Sequence, residues 1–353
     1  MKKISFSTVS TAIILLAAAF GLVRFPKEIS QAVTDGLRTC TQLLLPNLFP
    51  FFVLSSMVMK LGLAQALGKV LEPLMQPLFQ LPGACSCALV LGFLGGYPTG
   101  AKTAAALYQE GLCSKQQAQR LLAFCNNCGP AFLLGAVGYG IFGQLQYGLL
   151  LTGVHISAAF LTGVILNRCA PDPRTCCGRP LSTRSTPLAI AFVDSVTESM
   201  QALLNLFAFV LCFCAVTQLC MLSQLPDTLS KFFLPFLSPE NSKSFLLGLL
   251  EMTSGVTQIN AGGIQERLIL SSALLGWGGL SVHCQVLSLL RGTDLSPALY
   301  FKGKALHAGL SAVLMAAILW NLNGLCLLAG GALIFLPCTA AKKSSGKSVK
   351  GIV

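Results

Sequence analysis

GFLGGYPTGAK, residues 92–102, is the stretch that decides how this chain folds. It places four glycines and one proline at the end of a run, residues 73–101, that contains no Asp, Glu, Lys or Arg. Within a helix Gly costs about 1 kcal/mol and Pro about 3 kcal/mol relative to Ala. In lipid, the backbone groups that such a break exposes must be buried in protein or line a wet cavity. The stretch therefore predicts a re-entrant hairpin, with arms at 84–94 and 101–108 and a break near the bilayer midplane.

The composition indicates a membrane protein. The 353 residues are 54% hydrophobic and 10% charged, against roughly 25% charged in a soluble domain. Stretches of at least 18 residues without Asp, Glu, Lys or Arg include 4–23, 39–59, 121–167, 199–226, 268–290 and 305–341. The net charge of +12 lies mainly in short loops and at the chain ends, as the positive-inside rule expects, so we expect no nucleic-acid partner. The fold class predicted is an all-α polytopic membrane protein embedded in the lipid bilayer.

A second interrupted segment is predicted to be a discontinuous helix. Residues 121–143 are long enough to span a bilayer, but Asn-Asn-Cys-Gly-Pro at 126–130 breaks them near the middle. The half-helices of such a segment expose backbone dipoles at their ends. Ser114 is predicted to cap the helix that precedes the break. Residues 61–81, which carry two charges and two prolines, are expected to form a short surface helix and turn.

The second half of the chain resembles the first. Residues 32–53 align without gaps on residues 191–212. The breaks correspond in the same order, 99–100 with 254–255 and 129 with 277–279. Broken segments at corresponding places in two halves point to the binding site of a transporter. We therefore predict two internal repeats with re-entrant hairpins and discontinuous helices.

The predicted domain organisation follows from these repeats. It comprises an N-terminal transmembrane helix at 1–30, a first transporter repeat at 31–167, a basic cytoplasmic linker at 168–187, a second transporter repeat at 188–317, and a C-terminal apolar segment with a basic disordered tail at 318–353. The linker and the tail are basic, which places both on the cytoplasmic side.

Glu251 is an acidic residue at membrane depth, because residues 245–250 before it are apolar or Gly. Charged groups at this depth are costly and mark ion pathways or proton relays. The alternative is a structural ion pair with Lys102 or Arg267. A lone histidine, His155, is expected to be a hydrogen-bonded packing residue.

Lys102 follows the first break directly. A helix that starts at Thr99 or Gly100 aims free backbone N–H groups at the break, and hydroxyls and the ammonium add further donors. This combination suits an anion, and the alternative is a lysine that snorkels to the interface. Asn126 and Asn127 either contact a polar substrate or cap the half-helices.

The predicted binding site combines the breaks of both halves. Its residues are Gly96, Thr99, Gly100, Lys102, Asn126, Asn127, Gly129, Glu251, Thr253, Ser254 and Gly255. We find no P-loop, dinucleotide fingerprint, HExxH or Ser-His-Asp set, so we expect no enzyme activity, no catalytic residues, no metal and no cofactor. The expected partner is a small anionic substrate, the coupling ion is H⁺ or Na⁺, and a homo-oligomer is compatible with the sequence.

Four motifs resemble one family. GFLGGYPTGAK, FCNNCGPAFLLGAVG, LEMTSG and GWGGLSVH, in this order, are similar to those of the YlbJ-type sporulation integral membrane proteins, which carry the nucleoside-recognition, or Gate, domain. The resemblance covers residues 35–317. The chain departs from the family at Cys128, where the expected motif is Asn-Asn-Pro-Gly-Pro.

The resemblance implies a fold similar to concentrative nucleoside transporters, in which paired hairpins and broken helices form a mobile transport domain. It also implies a role in endospore formation, in the mother-cell or forespore membrane, with dipicolinate as cargo. Two alternatives remain at this point. One is a nucleoside or other neutral-solute permease coupled to H⁺ or Na⁺ through Glu251, and the other is a non-transporting sporulation membrane scaffold.

Overall fold

Every regular element in the described part of the chain is a helix. The structure, a computed structural model, describes residues 6–168, 186–233 and 237–320. The α-helices are α1 Phe6–Arg24, α2 Pro26–Thr39, α3 Leu45–Lys60, α4 Leu63–Phe79, α5 Ser86–Gly95, α6 Thr99–Gln109, α7 Lys115–Cys125, α8 Leu145–Arg168, α9 Leu188–Leu222, α10 Leu225–Phe233, α11 Pro239–Leu250, α12 Met252–Gln258, α13 Ile264–Trp277, α14 Gly279–Leu289 and α15 Ala298–Leu319. Two π-helices, Cys40–Leu44 and Ala131–Ile141, and a 3₁₀ turn, Gly83–Cys85, complete the set.

Three helices of the described chain are long and apolar enough to cross a membrane. They are Leu145–Asn167 within α8, the 35-residue α9, and α15. A fourth span is formed if Ala66–Phe79 and Gly83–Gly95, which meet at 95°, are counted as one bent pair. The charge-free stretch 121–167 thus contains one of these helices at its C-terminal end, whereas α9 begins before the charge-free stretch at 199 and α15 before the one at 305.

The prediction of a surface helix at 61–81 is wrong for one face of α4, because that face is buried. Met75 and Phe79 are fully buried there, because apolar residues recur every fourth position and form a stripe that packs against α5 and α8. The Phe79 ring stacks on that of Phe124, with the ring centres 4.7 Å apart. Lys69 and Glu72 lie on other faces of the helix. Their charges are the reason why the composition of this segment predicts a surface helix.

The pair α5 and α6 forms a helical hairpin at residues 92–102, and its re-entry into the membrane stays a prediction. The two helices pack against each other and are joined by Gly96, Tyr97 and Pro98, so the break is shorter than expected. Close packing explains two of the glycines. A methyl group at Gly92 or at Gly100 would overlap the carbonyl oxygen of Cys125, at the end of α7.

The second half contains a comparable pair, α11 and α12. The break between them is a single extended residue, Glu251, with φ −135° and ψ 105°. The helices approach so closely that a methyl group at Gly255 would overlap the Cα of Gly248. The break predicted at 277–279 lies between α13 and α14, where Gly278 and Gly279 have φ of 90° and 80°. Such values favour glycine over any side chain.

Two predicted segments fall outside the described residues. Most of the basic linker, residues 169–185, and the C-terminal apolar segment with its tail, residues 321–353, belong to these parts of the chain.

Candidate functional site

The helix breaks meet around one space, which we call the central cavity. It has about 730 Å³ of space not occupied by protein atoms, including open solvent. Its polar and backbone lining comes from the α5–α6 link, the 126–130 break, the α11–α12 break and the start of α14, as Gly95, Gly96, Tyr97, Cys128, Gly129, Glu251, Thr253, Ser281 and Gln285. Leu44, Leu48, Phe51 and Val210 are among its apolar walls.

Glycines bring the breaks into direct contact. A methyl group at Gly96 would lie 2.9 Å from the backbone nitrogen of Gly129, so the first hairpin rests on the 126–130 break. In the second half, a methyl group at Gly279 would lie 2.8 Å from the nitrogen of Met252. Each hairpin therefore touches the broken helix of its own half through backbone, where a larger side chain does not fit.

Glu251 is the N-cap of α12 and is 5% exposed. Its carboxylate accepts hydrogen bonds from the backbone N–H groups of Thr253 at 3.1 Å and Ser254 at 2.7 Å, and from the Ser254 hydroxyl at 2.7 Å. In the described chain it forms no ion pair with Lys102 or Arg267, and Arg267 donates to the Ile259 carbonyl instead. The helix N-terminus, rather than a cation, thus stabilises this charge.

A second, polar pocket lies on the other side of Glu251. It is lined by Asp35, Thr39, Thr217, Gln218, Ser254 and Gln258, among others. Glu251, Thr253 and Val210 border both this pocket and the central cavity. Only these three side chains are shared, so they form a thin partition between the two spaces.

Lys102 lies in a third space, which we call the Lys102 pocket. This pocket has about 420 Å³ of empty space and is lined by Phe52, Pro98, Lys102, Ala202, Asn205, Leu206, Phe209, Gln285, Ser288 and Leu289. The Lys102 Nζ is buried, lies 5.5 Å from the centre of the Phe52 ring, and has no hydrogen-bond partner among the described residues. Leu206 and Gln285 line both this pocket and the central cavity. A buried ammonium without a hydrogen-bond partner is unusual, and an acceptor that entered the pocket would satisfy it.

The remaining predicted residues of the first hairpin and break are fully buried. Thr99 packs against Gly95, and the Asn127 amide donates to the Phe124 carbonyl at 2.9 Å. The Asn126 Oδ1 accepts from the Ala101 N–H at 3.4 Å. These amides therefore hold the ends of α6 and α7, which is the capping role that the sequence left open. Thr99 Oγ1, Asn126 Nδ2 and Asn127 Oδ1 have no partner in the described structure.

Sequence reasoning missed Lys304. Its side chain is fully buried in α15, and Nζ donates to the Tyr97 hydroxyl at 2.8 Å, the Asn126 carbonyl at 3.1 Å and His307 Nδ1 at 3.3 Å. His155 lies beside this network, since its ring centre is 4.5 Å from that of His307 and its Nε2 accepts from the Cys128 N–H at 3.0 Å. The available signal was the Lys-x-x-His spacing, which places both side chains on one helix face.

Comparisons with known proteins identify the family of this chain. Residues 42–165, from the π-helix before α3 to the end of α8, match the Gate family, described as nucleoside recognition. The chain is 30% identical over 346 residues to the sporulation integral membrane protein YlbJ of Bacillus subtilis (strain 168), and the match covers 91% of this chain and 84% of that protein. No solved structure matches the chain. The chain belongs to the YlbJ family of sporulation integral membrane proteins and contains a nucleoside-recognition Gate domain.

Proposed function

We propose that this protein is a secondary transporter that carries a small aromatic dicarboxylate, dipicolinate, across a membrane during endospore formation. The observation that carries the proposal is the Lys102 pocket, where a buried ammonium has no hydrogen-bond partner among the described residues. A carboxylate that enters this pocket gains a charge-assisted hydrogen bond and removes the cost of an unpaired buried charge.

The other walls of the Lys102 pocket suit a flat, aromatic dianion. Phe52 and Phe209 contribute aromatic rings to the lining. Asn205, Gln285 and Ser288 contribute amide and hydroxyl groups that donate to carboxylate oxygens. These donors take the place of Thr99 and Asn127, which the sequence suggested but which are fully buried, and of Ser254, whose hydroxyl is donated to Glu251.

The helix breaks supply a route and moving parts in this proposal. The α5–α6 and α11–α12 pairs act as re-entrant hairpins of two internal repeats, similar to those of concentrative nucleoside transporters. Each pair touches the broken helix of its own half through glycines, and such contacts let short helices slide without rearranging large side chains. Substrate passes from the Lys102 pocket to the central cavity beside Gln285, which borders both. We propose no catalytic step.

The test is uptake of labelled dipicolinate into liposomes that contain the purified protein. Saturable uptake is expected in the wild type and in Lys302→Ala, which removes an exposed lysine, and uptake should fall at least tenfold in Lys102→Ala. Wild-type uptake in Lys102→Ala would remove this lysine from the site. Monodisperse elution of both variants in size-exclusion chromatography shows that the loss is not due to misfolding.

A second candidate is a nucleoside permease, favoured by the match of residues 42–165 to a nucleoside-recognition domain. Its site would be the central cavity, where Glu251 is the acidic side chain. Labelled uridine, measured in parallel, discriminates between the candidates. Uridine uptake that is lost in Glu251→Gln and retained in Lys102→Ala would favour the permease. Uptake of neither compound would favour the non-transporting scaffold.

A further inference from the structure

Lys304 is held at the junction of three parts of the transporter. Its Nζ is bonded to Tyr97 in the α5–α6 link, to the backbone of Asn126 in the 126–130 break, and to His307 on its own helix. The side chain is fully buried, and α15 packs against α7, α8 and α13. Its three contacts thus join the first hairpin, the first broken helix and α15.

Each of the three partners can only accept a hydrogen bond from Lys304. The Tyr97 hydroxyl proton is already donated to the Leu275 carbonyl at 2.7 Å. His307 Nε2 lies 3.0 Å from the His155 carbonyl, which is only an acceptor, so Nε2 carries the proton and Nδ1 of the neutral ring accepts. The Asn126 partner is a carbonyl.

Three acceptors require three protons on one nitrogen. An ammonium has three N–H donors, whereas a neutral amine has two and a lone pair. Loss of one proton would therefore set the lone pair against the Tyr97 oxygen, the Asn126 oxygen or the His307 nitrogen. The network specifies the protonated form of Lys304 by geometry alone.

Among the described residues, none of the charged or titratable groups around Lys304 competes with it for an added proton. Facing it are the imidazoles of His155 on α8 and His283 on α14, and the thiols of Cys125 on α7 and Cys128 in the break. In the described chain no carboxylate pairs with it. On α13 the charged residues are elsewhere engaged, Glu266 with Asn241 and Arg267 with the Ile259 carbonyl. His155 accepts from the Cys128 N–H, so its ring is not a competing cation in this arrangement.

We propose that Lys304 is the proton-binding site of the transporter and that the coupling ion is H⁺; as a statement about coupling, this rests on the proposed transport function. The amine takes up one proton to become an ammonium, and no other bond forms or breaks. The proton comes from water in the central cavity, which Tyr97 and Cys128 border. Protonation locks the α5–α6 link to the 126–130 break, and loss of the proton releases them.

Hydrogen exchange of the full-length protein tests this lock without any substrate. Two amides report on it, since the Ala101 N–H is bonded to Asn126 and the Cys128 N–H to His155. Protection of peptides covering 96–101 and 126–130, corrected for the intrinsic exchange rate, is expected to fall at least tenfold as the pH rises through a single titration step. In Lys304→Arg, which keeps its charge, protection should not depend on pH. In Lys304→Met, the same peptides should be unprotected throughout.

Lys302→Met is the matched control, because Lys302 is exposed on the same helix, and it should behave like the wild type. A pH-independent wild type, or a titration that persists in Lys304→Arg, would overturn the proposal. If Lys304→Met does not fold, Lys304→Arg alone still tests the proposal. Proton uptake that accompanies dipicolinate uptake in liposomes should occur in the wild type, be absent in Lys304→Arg, and be unchanged when Na⁺ replaces K⁺. If the wild type moves no dipicolinate, the transport function fails while the exchange result still decides the role of Lys304.

Discussion

Replacement of Gly100 by Ala should destabilise the protein strongly, because three elements meet there. The added methyl group would overlap the Cys125 carbonyl oxygen and would lie 2.7 Å from the Cys125 carbonyl carbon and 3.1 Å from the Asn126 Cα. All three atoms are backbone atoms, so they cannot rotate away. Overpacking costs typically 1–3 kcal/mol, and a contact with rigid backbone lies at about the upper end of that range. Ala gains about 0.5–1 kcal/mol in a helix, which leaves a net loss of roughly 2 kcal/mol.

Thermal unfolding of the purified protein in detergent measures this loss. A net cost of about 2 kcal/mol corresponds to a fall in apparent Tm of roughly 4–8 °C for a large domain. All variants are heated at one rate, since membrane proteins commonly unfold irreversibly and Tm then depends on the rate.

Gly153→Ala is the matched control. Gly153 lies in α8, and a methyl group there would have no atom within 4 Å, so the substitution should leave the Tm unchanged or raise it by a few degrees. A Gly100→Ala variant that melts with the wild type, or with Gly153→Ala, would refute the packing of α6 on the end of α7. It would also undermine the position of the α5–α6 link in the central cavity.

Two further predictions concern the ends of helices. Ser114→Ala should cost about 1 kcal/mol and lower the Tm by a few degrees, because Ser114 and Gln117 form a reciprocal capping box at the start of α7. Asp294 accepts hydrogen bonds from the Tyr108 hydroxyl and from Lys115, which lower the pKa of its carboxyl below 3.8. Its contribution to stability is therefore present at neutral pH and lost as pH falls through the lowered pKa, so melting below about pH 4 should be less pH-dependent in Asp294→Asn.

The helix breaks were predictable because their causes are local. Gly and Pro at 96–98, 126–130 and 278–279 interrupt apolar runs, and their cost in a helix applies whatever the chain packs against. The cap at Ser114 was predictable for the same reason, since its hydrogen bonds are made within one turn.

The chemistry of the site depended on contacts between distant residues. Tyr97 and Lys304 are 207 positions apart, and no local pattern pairs them. A search for charge-free segments placed the last span after Lys304, whereas packing against α7, α8 and α13 extends α15 to Ala298 and buries the lysine. Glu251 was predicted to be an acid at membrane depth, but its capping of α12 depends on where that helix starts.

Because α9 is long, its orientation in the membrane depends on the thickness of the bilayer. At about 1.5 Å per residue, the apolar part of α9 that follows Glu198 is about 36 Å long, and the hydrocarbon core is about 30 Å thick. Glu198 marks where this part begins, since its carboxylate is held by Lys60 of α3 at 2.8 Å.

This hydrophobic mismatch is relieved by tilting α9 or by thickening the surrounding lipid. The same helix supplies Asn205 and Phe209 to the Lys102 pocket and Val210 to the central cavity. A change in acyl-chain length therefore alters the tilt of α9 and, through it, the shape of both spaces. Lipid composition thus changes the shape of the site through the thickness of the bilayer, even when no lipid binds there.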